Sequence, residues 1–302
     1  MSEPKTSGAE GEVVVVGSAN MDATVRVDRL PDAGETVLGN DLVWAPGGKG
    51  ANQAVAATRM GATAALVARV GDDATGTDLR ATLAGEGVDV NHVVVSAGVP
   101  TGVALITVDA NGDNTIVVAP LANSELSVAD VEAAASTIAG ANVLVCQLET
   151  PLPTVVGTLE LARTAGVATM LNASPAQAVD ASVLGLVDVL VVNQHEAETL
   201  RDVLHPVPCR ALIVTLGAAG AVVVEDGRRT ELASHPVTAL DTTGAGDAFC
   251  GALAAGIAAG QGVTEAASTA VAAGALAVTC VGAIPSLPTA AEVAELLADA
   301  PR

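Results

Sequence analysis

Residues 13–17 read Val-Val-Val-Val-Gly, and this run decides the fold. Four consecutive β-branched residues without polar alternation describe a strand buried on both faces and ended by a glycine. Similar short runs follow at Ala64 to Val70, Val143 to Cys146, Ala168 to Leu171, Val187 to Val192 and Ala211 to Leu216. Helix-like stretches lie between them, at Ala51 to Met60, Ala74 to Ala84, Val128 to Ala139 and Pro153 to Ala165. This alternation predicts an α/β fold, a doubly wound, mainly parallel sheet flanked by helices. Two regions break it: about 19–46 and 93–119 alternate polar with apolar residues between Gly and Pro. They read as antiparallel strands, the second region a hairpin turning at Asn111-Gly112. We take them as a small β-lid inserted in a single domain over residues 13–302, after a polar tail at 1–12. Beyond Asp247 the chain reads as mostly helical, with Gly260-Gln261-Gly262 separating two Ala-rich helices.

Half of the 302 residues are hydrophobic, which rules out wholesale disorder, yet there is one Phe (Phe249), one Trp (Trp44) and no Tyr. Ala, Val, Leu and Gly must therefore fill the interior. A formal net charge of -21 argues against a nucleic-acid partner, which would require clustered Lys and Arg. Nucleotide phosphates held by backbone N–H groups and Mg²⁺ remain open. Cys146, Cys209, Cys250 and Cys280 are widely spaced, with no CxxC pair, so reduced cytoplasmic thiols are expected. The first dozen residues lack an apolar signal core, and the run around Ala248 to Gly260 is too short and glycine-rich to span a membrane.

Two glycine-rich loops carry the chemistry. Asp241-Thr242-Thr243-Gly244-Ala245-Gly246-Asp247 precedes an Ala-rich helix, and its small residues let backbone N–H groups face an anion. A carboxylate at Asp247 would repel a phosphate there, unless it takes the proton of an attacking hydroxyl. Asp247 read alone is equally a helix cap. Gly47-Gly48-Lys49-Gly50-Ala51-Asn52-Gln53 opens a second helix, with Lys49 and Asn52 on its first turn. Asn20 and Asp22 follow the first strand, where open α/β sheets place ligands. These residue types suit a hydroxyl-rich ligand, although singly each also reads as a turn or surface group. Neither a Walker motif nor GxGxxG is present: Gly50 follows Lys49, and Val43 stands where the first Walker glycine would be.

Together these stretches form a resemblance. Gly17 to Asp22 (GSANMD), Pro31 to Thr36 (PDAGET) and Gly47 to Ala54 (GGKGANQA) closely resemble the start of the ribokinase-like, or PfkB, carbohydrate kinases, which include bacterial fructokinases and adenosine kinase. The likeness continues through Thr101 to Ala104, Gln147 to Glu149, Asn193 to Glu196, Thr215 to Gly217 and Asp241 to Asp247, covering Val13 to Pro288. The order of these motifs makes the resemblance specific.

The resemblance implies an ATP:sugar phosphotransferase. GGKGAN and TGVA favour the members that phosphorylate the O5 hydroxyl of D-ribose, giving ribose 5-phosphate and ADP. It assigns Asn20, Asp22, Gly48, Lys49, Asn52 and Glu149 to the sugar, Asp247 as base, and Gly244, Ala245 and Gly246 as anion hole. Asn193 and Thr215 to Gly220, Gly217 among them, match the nucleotide positions together with Gly246. Glu196 matches the residue that organises Mg²⁺ through water, and Asp241, Thr243, Ala277, Cys280, Gly282 and Ser286 match a monovalent-cation site for K⁺. The sister specificities (deoxyribose, fructose, adenosine) remain open. So does a non-catalytic sugar sensor, although the retained Asp247 weighs against it. A homodimer through the lid is expected, with contacts at Val25, Val27, Val37 and Leu42. One departure stands out: the family usually has a further helix between Glu198 and Ala211, where this chain has only LRDVLHPVPCR.

Overall fold

The computed structural model describes residues 11–110, 114–205 and 207–299. Most of the 1–12 tail and the Asn111-Gly112 turn lie outside the described residues. The chain opens with β1 (Glu12–Val16), β2 (Asn20–Arg26), β3 (Leu42–Gly47), α1 (Lys49–Arg59), β4 (Thr63–Gly71), α2 (Ala74–Gly85) and β5 (Asp89–Ser96). Next come β6 (Gly102–Val108), β7 (Asn114–Ala119), α3 (Val128–Ala133), α4 (Ala135–Gly140), β8 (Val143–Cys146), α5 (Leu152–Ala165) and β9 (Ala168–Asn172). Then follow α6 (Ala181–Leu184), β10 (Val189–Asn193), α7 (Gln194–Thr199), β11 (Ala211–Thr215), β12 (Ala221–Glu225) and β13 (Arg228–Leu232). Helices α8 (Ala245–Ala258), α9 (Val263–Ala277) and α10 (Ala290–Asp299) complete the described chain.

The large sheet runs β13-β12-β11-β10-β9-β8-β1-β4-β5, parallel from β11 to β5 and antiparallel at β12 and β13. Successive residues of β1 serve opposite faces, which is why it carries no polar residue between Val13 and Val16. Val13 and Val15 pack under α1, α8 and α9, while Val14 and Val16 pack under α3, α4 and α5. The missing aromatic volume is replaced by closeness. At Gly251 of α8, a β-carbon would lie 2.3 Å from Cβ of Ala56 and 2.8 Å from the Ala57 nitrogen of α1. Only glycine lets the two helices touch there.

The small sheet runs β3-β2-β6-β7 and corrects the antiparallel reading in part. β2–β3 and β6–β7 are antiparallel, but β2 and β6 pair in parallel, Asn20 opposite Gly102. The second lid segment also begins later than 93, because β5 pairs with β4 in the large sheet. As the outermost strand there, β5 leaves Asp89, Asn91 and Val95 exposed among more covered residues, so its sequence looks like a lid strand. The predicted helix over Val128 to Ala139 is divided at Ala134 into α3 and α4. Between Thr199 and Ala211 no helix occurs among the described residues. Among the described residues the crossover from β10 to β11 is made by α7 and turns.

Candidate active site

Helix α1 follows β3, and its first turn lies against Gly17 and Ser18, just beyond the end of β1. Gly48 is its N-cap with φ +90°, and a β-carbon there would lie 2.7 Å from the Asn20 nitrogen. No side chain of α1 caps it; instead Ser18 and Glu149 supply the acceptors. Ser18 Oγ accepts from Gly50 N–H at 3.4 Å, Ser18 O accepts from Ala51 N–H at 2.9 Å, and Glu149 Oε2 accepts from Lys49 N–H at 3.4 Å and Ser18 Oγ–H at 2.5 Å. Glu149 is thus fixed by the helix end it neutralises.

Helix α8 arrives on the other side of the same cavity. Its N-cap is Gly244, φ +79°, again with no side-chain cap. Asp247 is therefore not the cap that its sequence position allowed. It lies within the first turn, buried, with Oδ2 accepting from Asn52 Nδ2 at 2.8 Å and Oδ1 accepting from Gln53 Nε2 at 2.9 Å. The N–H groups of Gly246 and Asp247 have no hydrogen-bond partner among the described residues, and Gly246 lines both cavities described below. Oriented, unpaired donors at a helix start form an anion hole.

A cavity of about 340 Å³ collects Asn20, Asp22, Gly48, Lys49, Asn52, Glu149, Asn193, Glu196, Thr215, Thr243, Gly244, Gly246 and Asp247. Beside Asn20 and Asp22 of β2, strands β6 and β7 of the small sheet give it a mainly apolar wall of Ala104, Ile106, Ile116 and Val118, with Asn114 at the start of β7. Sequence reasoning missed this wall beyond Ala104, because β7 shows no motif. It also missed Asn123, buried just after β7. Asn123 Oδ1 accepts from Ala19 N–H at 2.9 Å, and its Nδ2 donates to Ala19 O at 3.2 Å and to Asn20 Oδ1 at 2.7 Å. Backbone groups fix the sense of the Asn123 amide, so Asn20 must turn its own N–H₂ toward the cavity. A β-carbon at Gly102 would lie 2.2 Å from Asn123 Nδ2, which accounts for the glycine in Thr101-Gly102-Val103-Ala104.

The charges are crowded. Burial pushes the Asp22 carboxyl up to about 7, aided by Glu149 and Asp247 and opposed by Lys49. Burial alone would lower Lys49, but Asp247, Glu149 and Glu196 outweigh it and hold the ammonium above its ordinary value. Two buried acceptors, Asp22 Oδ1 and Asn52 Oδ1, have no hydrogen-bond partner. Buried acceptors are normally satisfied, so these two ask for hydroxyl donors from a ligand. Cys250, whose thiol burial pushes up, accepts from Asn172 Nδ2 at 3.2 Å and belongs to the core behind the cavity.

A second cavity of about 360 Å³ adjoins the first, sharing Thr215, Thr242 and Gly246. Gly217, Gly220 and Ala245 line it with Val237, Phe249, Val271 and Val278, an apolar slot fit for a flat base. His235 also lines it, a residue that no sequence motif singles out. Asn193 and Glu196 close the capping box of α7: Asn193 Oδ1 accepts from Glu196 N–H at 2.8 Å, and Glu196 Oε2 accepts from Asn193 N–H at 2.7 Å. That leaves Glu196 Oε1 for the cavity.

Asp241, Ala277, Cys280, Gly282 and Ser286 line neither cavity. Asp241 joins two loops: Oδ1 accepts from Thr243 N–H and Oδ2 from Gly282 N–H, each at 2.9 Å. Burial opposes its ionisation, but these backbone donors outweigh it and lower its pKa. Gly244 packs against the second loop, where a β-carbon would lie 3.1 Å from Ala283 Cα and 3.4 Å from Ser286 Oγ.

The model of the family described as pfkB family carbohydrate kinase matches residues 10–290. A ribokinase of Haemophilus influenzae is 36% identical over 299 residues, covering 94% of this chain and 98% of that protein. A ribokinase of Bacillus subtilis is 36% identical over 291 residues, covering 94% and 99%. Among solved structures, a Thermotoga maritima ribokinase superposes with a TM-score of 0.85 at 30% identity, covering 96% of this chain and 100% of that one. An Arabidopsis thaliana ribokinase complexed with ribose and ATP gives a TM-score of 0.84 at 29% identity, covering 96% and 99%.

Proposed function

This chain belongs to the pfkB family of carbohydrate kinases, and on that basis we propose that it transfers the terminal phosphoryl group of ATP to the O5 hydroxyl of D-ribose, giving ribose 5-phosphate and ADP. The observation that carries the sugar assignment is the pair of orphaned buried acceptors, Asp22 Oδ1 and Asn52 Oδ1, beside the inward N–H₂ of Asn20. Such a set pairs with neighbouring hydroxyls, while Ile106, Ile116 and Val118 cover the apolar face of the ring. Asp247 takes the O5 proton as that oxygen attacks phosphorus. The Gly246 and Asp247 N–H groups meet the charge developing on the transferred group, and Lys49 meets it from α1. The apolar slot receives the adenine. A coupled ADP-release assay across ribose, 2-deoxyribose, fructose and adenosine tests the reading. Ribose is expected to be the best substrate, and equal efficiency with 2-deoxyribose would remove the role given to Asp22.

Asp22 makes sugar binding depend on pH. Its native pKa of about 7 lies above the unfolded value of 3.8, so the native state holds this proton more tightly and loses stability as pH rises between the two. A hydroxyl donated to Oδ1 favours the ionised form. Ribose binding near pH 7 therefore releases up to one proton, and affinity tightens as pH rises through about 7 before levelling. Titration calorimetry in two buffers of different ionisation enthalpy measures this directly. Binding without proton release would contradict it.

Two ions fit the residues present. Glu196, with Oε1 unspent, would hold Mg²⁺ through water, and the ion would neutralise phosphate charge there. The small-residue loops joined by Asp241 fit a monovalent cation held mostly by carbonyl oxygens. Its effect would be to stiffen the Gly244-Ala245-Gly246 loop without touching substrate. K⁺ is thus expected to raise turnover more than ribose affinity, with Na⁺ and Li⁺ poor substitutes. Activity at constant ionic strength without K⁺ checks this; indifference to K⁺, with Asp241→Asn like the native enzyme, would leave only a structural turn.

The proposed dimer rests on the outer face of the small sheet. Leu42, Trp44, Leu105 and Val117 are 56%, 54%, 55% and 66% exposed, and register places them on the face away from the cavity. Val27, at 5% exposure, is buried within its own chain and drops out of the contact set. Among the described residues no helix is long and apolar enough to cross a membrane. All four cysteines are free, which suits the cytoplasm.

A further inference from the structure

The carboxylate of Asp247 is held from behind by a chain of buried amides. A carboxylate only accepts, so Gln53 must present Nε2 to Asp247 Oδ1, at 2.9 Å, and this fixes which way its amide faces. Gln53 Oε1 then accepts from Gln147 Nε2 at 2.7 Å. Gln147 stands at the end of β8, wholly buried, and its Oε1 has no partner. A β-carbon on Gly17 would lie 1.9 Å from that oxygen, so the close approach of β1 at this glycine makes the room in which Gln147 sits. The chain runs from the middle of the sheet through α1 to α8 and ends on one carboxylate oxygen, while Asn52 holds the other at 2.8 Å.

We propose that Gln53 and Gln147 are positioning residues that fix the carboxylate of Asp247 in the orientation needed to take the substrate proton. The proposal rests on the reading of Asp247 as base. Neither glutamine lines the cavity, so neither touches the sugar. Their contribution is to prevent the carboxylate from rotating toward Lys49, the cation nearest to it in effect. Asp22 on β2, Lys49 on α1 and Cys250 on α8 are the titratable groups that feel Asp247, and Glu149 and Glu196 share Lys49 with it. All five keep their places in the variants below.

Gln53→Met, close in volume and unable to donate, is expected to lower kcat by about tenfold or more through misplacement of the base. The KM for ribose should stay within about threefold, since ground-state contacts are untouched. Gln147→Met should act in the same direction and more weakly, and it serves as the second variant if Gln53→Met folds poorly. Gln53→Glu places a carboxyl against Asp247, so the pair shares a proton and the acid limb of the kcat profile moves up by about one pH unit or more. A merely structural glutamine would lower stability without moving that limb. Asp247→Asn, run alongside, separates the two possible failures. If it keeps native turnover, the base reading itself falls. If it is inactive while the Gln53 variants keep native kcat and an unmoved acid limb, or lose only ribose affinity, the positioning role is overturned.

Discussion

Replacement of Asp247 by Asn is expected to leave a folded protein that binds ATP and ribose but turns over about 10²–10⁴-fold more slowly, the range for loss of a general base. The cost to folding is calculable in outline. Asn52 Nδ2 and Gln53 Nε2 both donate to this side chain, one to each oxygen. The substituted amide would offer one acceptor and one donor, so one of the two neighbouring amides meets a donor and loses a hydrogen bond worth about 1–3 kcal/mol in a buried setting. Single-turnover transfer from labelled ATP separates the two effects, because it reads chemistry in the enzyme that has folded. Turnover within about tenfold of native, below the span assigned to such a base, would remove Asp247 from the mechanism.

The second large effect belongs to Lys49. It is the only Lys, Arg or His among the described residues lining the first cavity, where Asp22, Glu149, Glu196 and Asp247 also stand. Lys49→Met leaves those carboxylates without a counter-charge, and Asp22 loses the one cation that favours its ionised form. Ribose affinity is therefore expected to fall by about a hundredfold or more. The pH dependence should change as well. Lys49 is the group that lowers Asp22, so without it the midpoint of ribose binding moves above about 7. Calorimetry across pH measures both quantities. An affinity within about fivefold of native, a loss near 1 kcal/mol, together with an unmoved midpoint, would show that Lys49 is a solvated bystander.

The two predictions draw on parts of the molecule that differed in how plainly they could be read. Val13 to Val16 announced a strand covered on both sides, and the structure buries each residue there. The loops holding Gly48-Lys49 and Gly244-Ala245-Gly246 announced helix starts facing a ligand, since nothing in either helix caps them. What could not be read depends on partners distant in sequence. Asn123 acts through Ala19 and Asn20, and its neighbours Leu121, Ala122 and Ser124 carry no trace of that. β5 resembles a lid strand because an outermost strand and a lid strand each have one covered face. Val27 looked available for a partner because alternation reports a face, whereas burial depends on what packs over it. The apolar side of the nucleotide slot, with Val237, Val271 and Val278 beside His235, was illegible for a plainer reason: small hydrophobic residues lining a cavity and those filling a core are the same residues.

The parallel pairing of β2 with β6 also bears on the order in which the protein acquires its parts during folding. Hairpins β2–β3 and β6–β7 can each close locally, but their union sets Asn20 beside Gly102 with all of α1, β4, α2 and β5 between them in the chain. Contacts so remote form only after the intervening segment has collapsed, because the loop-closure entropy is lost before the pairing returns any energy. Asn20, Asp22 and the apolar cover of the sugar thus come together only when β2 meets β6, whereas β11, α8 and α9, which frame the nucleotide slot, need no such union. Without the union of β2 and β6 the chain could frame a nucleotide slot yet have no means of recognising a sugar.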